Sequence, residues 1–182
     1  MKPPLAKRVR KPSLRPAAAR ADAIRIDVSV LDAAWRVRLP RVAALCRKAA
    51  RAALDATLDP QPLELAVVLV SDARSRVLNR TWRGQDKATN VLSFAGLEGG
   101  ALTPAGAPLL LGDVILARQT VWREAKAQGK NPAHHLQHLV VHGVLHLLGF
   151  DHLRDRDAKR MEALEIDILA ALGIANPYEM AA

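Results

Sequence analysis

All six histidines of this 182-residue chain fall between residues 134 and 152. Imidazole is the commonest side-chain metal ligand, and its usefulness depends on spacing. His138, His142 and His146 stand four residues apart, so on a helix they form one slowly drifting stripe. Two histidines at i and i+4 can aim a ring nitrogen at the same ion, which is why zinc enzymes use that spacing. Gly149 follows, where a helix can end in a left-handed conformation that glycine enters cheaply. The chain can then reverse and bring back His152. The pattern H-x-x-x-H-x-x-G-x-x-H makes His142, His146 and His152 candidate ligands of one metal ion. Zinc is the default for three imidazoles that leave a fourth position open. The plainer alternative, a core helix with buried histidines, must explain ligand spacing, a chain-reversing glycine and no histidine elsewhere. His135 and His138 read as packing or supporting residues and not as ligands.

The neighbours of the histidines narrow the chemistry. Zinc peptidases carry H-E-x-x-H, with the glutamate beside the first ligand as general base. Here Gly143 stands in that place. A positioned base contributes on the order of 10²–10⁴-fold, so its absence weighs against ordinary peptide hydrolysis. A metal could still supply hydroxide or neutralise a phosphate oxygen, and phosphodiester chemistry suits a basic protein better. Asp151, beside a candidate ligand, could orient an imidazole or move a proton, and turn formation explains it equally well. Asp155, Glu162 and Glu165 read as solvated or capping charges in or near the last helix, and Met161 as core packing.

These residues need elements to hold them. Residues 24–30, IRIDVSV, alternate like a half-buried strand, and residues 39–56 carry apolar positions at helical spacing. LELAVVLV, 63–70, reads as a central strand. Ser71 and Asp72 then offer N-caps for a helix running to about Trp82. TNVLSF, 89–94, and LLLGDVILA, 109–117, read as two further strands separated by a Gly- and Pro-bearing loop. Helices follow near 118–128, after Asn131-Pro132, and from about 156 to 172. The expected fold is α/β (α+β): a small mixed sheet of about four strands covered by helices, with the metal site on a helix of the C-terminal half and the turn after it.

Composition bounds the rest. The length suits one domain, expected over residues 23–182. The single cysteine, Cys46, cannot form an intrachain bridge; a reducing cytoplasm and a packed thiol fit best. No run approaches the roughly 18 apolar residues of a membrane span, so a soluble protein with no membrane partner is expected. The formal charge of +9 is unevenly placed: without the seven basic residues of the first twenty it falls to +2. Residues 1–22 therefore read as a basic, disordered arm, either a phosphate-seeking tail or a solubilising extension, with some likeness to an organellar transit peptide.

HGVLHLLGFDH, 142–152, resembles the signature of the YbeY-type bacterial endoribonucleases, H-G-x-L-H-L-x-G-Y-D-H. LNRTWRGQDKATNVLSF, 78–94, resembles that family's L-N-x-x-Y-R-x-x-D-x-P-T-D/N-V-L-S-F segment, and LGDVILA, 111–117, its G-D-I-x-I strand. The resemblance covers most of residues 60–178. It implies that His142, His146 and His152 bind one zinc ion and that Arg83 is the functional arginine, contacting phosphate or RNA. Asp151 is a weaker catalytic candidate. It further implies a single-strand-specific endoribonuclease in ribosomal RNA maturation, including 16S ribosomal RNA 3′ end processing, and in ribosome quality control. The partners implied are ribosomal RNA, the small ribosomal subunit and ribosome-biogenesis proteins. Phe150 and Trp82 replace tyrosines of the family pattern, and Ala88 and Ala95 stand where prolines are frequent. From other classes, a zinc peptidase or amidase and a non-catalytic, zinc-stabilised RNA-binding module remain alternatives.

Overall fold

In the computed structural model, residues 24–59, 61–96, 107–152 and 154–179 are described. The expected basic arm and most of the Gly- and Pro-bearing loop lie outside them. Strand β1, Ile24–Val30, pairs in parallel with β2, Leu63–Val70, which pairs in parallel with β4, Leu109–Ala117. Strand β3, Val91–Ala95, closes the other edge antiparallel to β4, giving the order β1-β2-β4-β3. The described residues thus form a four-stranded mixed sheet with six helices packed around it, and the two hydrophobic periods foretell the sheet and five of those helices.

Each strand's position explains its sequence. On β1, an edge strand, half-buried and exposed residues alternate, whereas the flanked β2 buries Leu63, Leu65, Val67, Leu69 and Val70. Strand β3 starts two residues later than the pattern suggests. Thr89 instead exchanges hydrogen bonds with Ser75 Oγ, and the Asn90 side chain reaches Glu124, so regular pairing begins at Val91.

The helices are α1 (Ala34–Arg38), α2 (Val42–Thr57), α3 (Asp72–Arg83), α4 (Arg118–Ala127), α5 (Pro132–Leu147) and α6 (Asp155–Ala171). Helix α1 was not legible as an element. It forms because Asp32 accepts from the Ala34 N–H and from Arg118, while Trp35 buries its indole and donates to Val70 O at 3.1 Å. Ser71 caps α3 and Asn131 caps α5, with Pro132 entering the first turn. Cys46 on α2 is fully buried, and burial pushes its thiol up to about 12. Helices α2 and α5 pack together, and α5 also lies against β3 and β4. This places the histidine helix in the middle of the core, with Leu136, Val140, Val144 and Leu145 fully buried on it. No helix among the described residues is long and apolar enough to cross a membrane.

Candidate metal centre

Helix α5 presents two of the candidate ligands from its own turns and supplies the third through the turn that ends it. The Gly149 N–H returns to His146 O and the Phe150 N–H to Leu145 O, closing the last turn. Gly149 adopts φ 85°, the left-handed conformation the reversal requires. Asp151 then accepts from the His152 N–H at 2.7 Å, fixing the next step of the chain. That hydrogen bond gives Asp151 a turn-forming role; its carboxylate touches no imidazole nitrogen among the described residues.

The result is one cluster. His142, His146 and His152 each offer a ring nitrogen, and these atoms lie within 4.8 Å of one another. The Nε2 atoms of His142 and His146 face each other at 3.0 Å. Two lone-pair nitrogens at that separation repel unless a proton or a cation lies between them. Ligands at 2.0–2.1 Å from a tetrahedral zinc stand roughly 3.3 Å apart, close to what the imidazoles already show. The donor set therefore fits a metal ion. His152 is exposed and the other two half-buried, which leaves the site open on one side.

A residue that the sequence reading placed in solvent completes the arrangement. Glu165 on α6 is not a solvated or capping charge; it is 0% exposed. Its Oε1 lies 2.8 Å from His142 Nδ1 and its Oε2 2.7 Å from His138 Nε2, while the Tyr178 hydroxyl donates to Oε2. A carboxylate on Nδ1 holds the His142 proton there and frees the Nε2 lone pair for a metal. His138 is thereby a supporting residue, joined to His142 through the carboxylate. Burial pushes the Glu165 carboxyl up, but the hydrogen bonds from His138, His142 and Tyr178 outweigh it and hold the group at about 2. The carboxylate therefore stays ionised. Tyr178 responds in the opposite sense, its hydroxyl pushed up by burial and by the bond to Glu165. Burial, and then the charges of His142 and His152, push the His146 imidazole down, which favours its neutral, ligating form.

The signal for Glu165 was present in the sequence. It lies four residues from Met161 and four from Leu169, both buried, so it occupies the inward stripe of α6. His135 makes a parallel pairing with Glu124 at 3.0 Å, which Asn90 also contacts, tying α5 to α4 and to the start of β3.

Gly143 explains why the peptidase glutamate is missing. A Cβ there would meet Val114 Cγ1 at 2.6 Å and Ser93 Oγ at 3.1 Å. The Ser93 hydroxyl also donates to Gly143 O at 3.1 Å, pinning helix to sheet at that point. Only glycine lets α5 approach β3 and β4 this closely.

Arg83 stands apart from the cluster. It is the exposed last residue of α3, and no hydrogen bond or ion pair joins it to the histidines. Its connection is indirect: Trp82 packs edge-on against Phe94 of β3, and the adjacent Ser93 reaches Gly143 beside His142.

The family model described as endoribonuclease YbeY matches residues 29–173, which include the three histidines, His138, Gly143, Glu165 and Arg83 but not Tyr178. The chain belongs to the YbeY family. A relative named endoribonuclease YbeY from Azorhizobium caulinodans is 54% identical over 159 residues, 86% of this chain and 98% of that protein. Relatives of the same name from Paramagnetospirillum magneticum and Rhodospirillum rubrum are 54% and 51% identical, each over 85% of this chain and over 96% and 82% of their own lengths. The solution structure of TM1509 from Thermotoga maritima covers 86% of this chain and 99% of its own, with TM-score 0.50 and 21% identity, a likeness of fold. The YbeY match agrees with the resemblance carried by HGVLHLLGFDH, and it spans β2, β3, β4 and all six helices in full, with the last two residues of β1.

Proposed function

We propose that this protein is a zinc-dependent endoribonuclease that cuts single-stranded RNA, acting in ribosomal RNA maturation, including the 16S ribosomal RNA 3′ end, and in ribosome quality control. Its partners on this reading are ribosomal RNA, the small ribosomal subunit and ribosome-biogenesis proteins, and its compartment is the cytoplasm. The observation that carries the reading is the convergence of His142, His146 and His152, backed by the buried Glu165 carboxylate, in a chain of the YbeY family. Zinc bound there would supply a Lewis acid beside the scissile phosphate. The chain's own residues do the remaining work. His142 is held in one orientation by Glu165, His152 rides on a turn set by Gly149 and Asp151, and Arg83 offers a guanidinium suited to paired hydrogen bonds with phosphate.

Two features favour RNA over peptide. Gly143 leaves no room for the glutamate base of the zinc peptidases, and both oxygens of Glu165 are already engaged, so that carboxylate does not replace it. The open side of the site suits a splayed single strand, whose phosphates and bases are accessible as a duplex's are not. The test is cleavage of a labelled single-stranded ribosomal RNA fragment by zinc-loaded parent and Arg83→Ala. Cleavage by the parent, abolished by chelator, restored by zinc and slowed at least tenfold in Arg83→Ala, is expected. Equal rates would remove Arg83 from the mechanism, and no cleavage by highly purified parent would leave a zinc-stabilised RNA-binding module.

A further inference from the structure

Aromatic residues make up 3% of the chain, and the core takes Trp35 completely. Trp82 is the most exposed aromatic residue: it is 69% exposed, at the C-terminal end of α3, against 45% for Tyr178. Exposing a tryptophan to water forgoes a large burial gain, so its surroundings matter. The indole meets the Phe94 ring edge-on, with centroids 6.1 Å apart and planes at 64°. Phe94 thereby braces one part of the indole, and most of its surface stays in solvent. Among the described residues the indole N–H has no hydrogen-bond partner.

The charge around this ring is mostly positive, with Asp86 and Asp113, the latter paired across from Phe94 on β4, as its acidic members. Helix α3 and the turn after it carry Arg74, Arg76, Arg80, Arg83 and Lys87. Asp86 is shared by Arg76 at 2.7 Å and Arg80 at 3.8 Å, whereas Arg83 and Lys87 hold no ion pair among the described residues. The Arg83 guanidinium directly follows the indole in sequence, and the Lys87 ammonium lies five residues beyond the indole.

The platform connects to the candidate metal centre through β3. Successive residues of a strand point to opposite faces. On the edge strand β3, Phe94 faces Trp82 of α3, while Ser93 faces Gly143 of α5, next to His142. A strand of nucleic acid passing around this edge could touch both faces of the sheet within two residues of β3.

We propose that Trp82, braced by Phe94, is a base-stacking platform for single-stranded RNA, with Arg83 and Lys87 gripping the phosphates that flank the stacked base. This rests on the endoribonuclease reading above and names the substrate contact that selects an unpaired strand. A base inside a duplex has both faces covered and cannot lie on an indole; an unpaired base can. Stacking tolerates any base, so the platform confers preference for single strands without sequence choice.

The test is binding of labelled RNA 12-mers to the full chain in the presence of chelator, so that cleavage does not intrude. One oligonucleotide carries its bases and one carries abasic sites on the same sugar-phosphate backbone. Trp82→Ala should weaken binding of the base-bearing strand about tenfold, and Trp82→Phe should restore most of it. The abasic strand should bind the parent and Trp82→Ala equally, since the phosphate contacts remain. Unchanged melting of both variants separates the effect from misfolding. Equal affinity of parent and Trp82→Ala for the base-bearing strand would overturn the platform, as would an equal loss on the abasic strand. A Trp82→Ala protein that loses association with a ribosome-biogenesis protein while binding RNA normally would assign the surface to a protein partner instead. A parent that binds RNA normally but does not cut it leaves the platform standing and sinks only the nuclease reading.

Discussion

The Glu165 carboxylate reaches across from α6 to place Oε1 2.8 Å from His142 Nδ1, and so joins the last helix to the first histidine of the candidate metal cluster. The same carboxylate holds His138 and Tyr178. Three elements, α5, α6 and the C-terminal segment, thus converge on one buried charge whose partners are all donors. A buried carboxylate is tolerated only when it is paired in this way.

Replacing that charge should loosen the metal. Glu165→Gln keeps the volume but removes the negative partner of the His142 ring. Affinity for zinc, measured by competition with a chromogenic chelator, should fall 10–100-fold. The His142–Glu165 pairing would be irrelevant to the metal if the affinity stayed within twofold.

Acid sensitivity follows from the same group. Its carboxyl sits at about 2 in the folded protein against an ordinary 4.5, so the folded state binds the proton less readily than the unfolded one. The resulting stabilisation, on the order of 3 kcal/mol, is fully present above pH 4.5 and is lost as the pH falls from there toward 2. In the metal-free protein, urea melts of the parent and Glu165→Gln should therefore differ near neutrality and converge toward pH 2. A gap that stays constant across that range would contradict the assignment.

The contact at Gly143 makes a sharper steric prediction. Gly143→Ala places a methyl 2.6 Å from Val114 Cγ1 and should cost about 1–3 kcal/mol of stability through overpacking. Removing the obstructing methyls with Val114→Ala should recover part of that cost. The double variant should then be more stable than the two single losses add up to, by about 1 kcal/mol. Strict additivity in thermal or urea melts would mean that the two residues do not press on each other.

Much of this architecture could be read from the residues alone, for identifiable reasons. The strands at 24–30, 63–70 and 109–117 follow simple apolar patterns, and the cap at Ser71 and the helix start at Pro132 are local chemistry. The three candidate ligands lie within eleven residues of one another, so spacing on a helix and one glycine turn suffice to gather them. What escaped is what depends on distant contacts. Helix α1 owes its place to Asp32 meeting Arg118, 86 residues away. Glu165 meets His142 across 23 residues and through the packing of two helices, so its sequence neighbours gave only the hint of an inward stripe. The crowding at Gly143 comes from two strands that no local pattern connects to it.

The central claim is that His142, His146 and His152 hold the ion that RNA cleavage needs. It is tested most directly by His146→Ala, shown to be folded, in parallel with the parent: metal content by elemental analysis, and cleavage of a labelled single-stranded ribosomal RNA fragment on the same samples. One equivalent of zinc and cleavage are expected in the parent, with both lost together in the variant. A variant that cuts RNA at the parental rate without bound metal would contradict that claim.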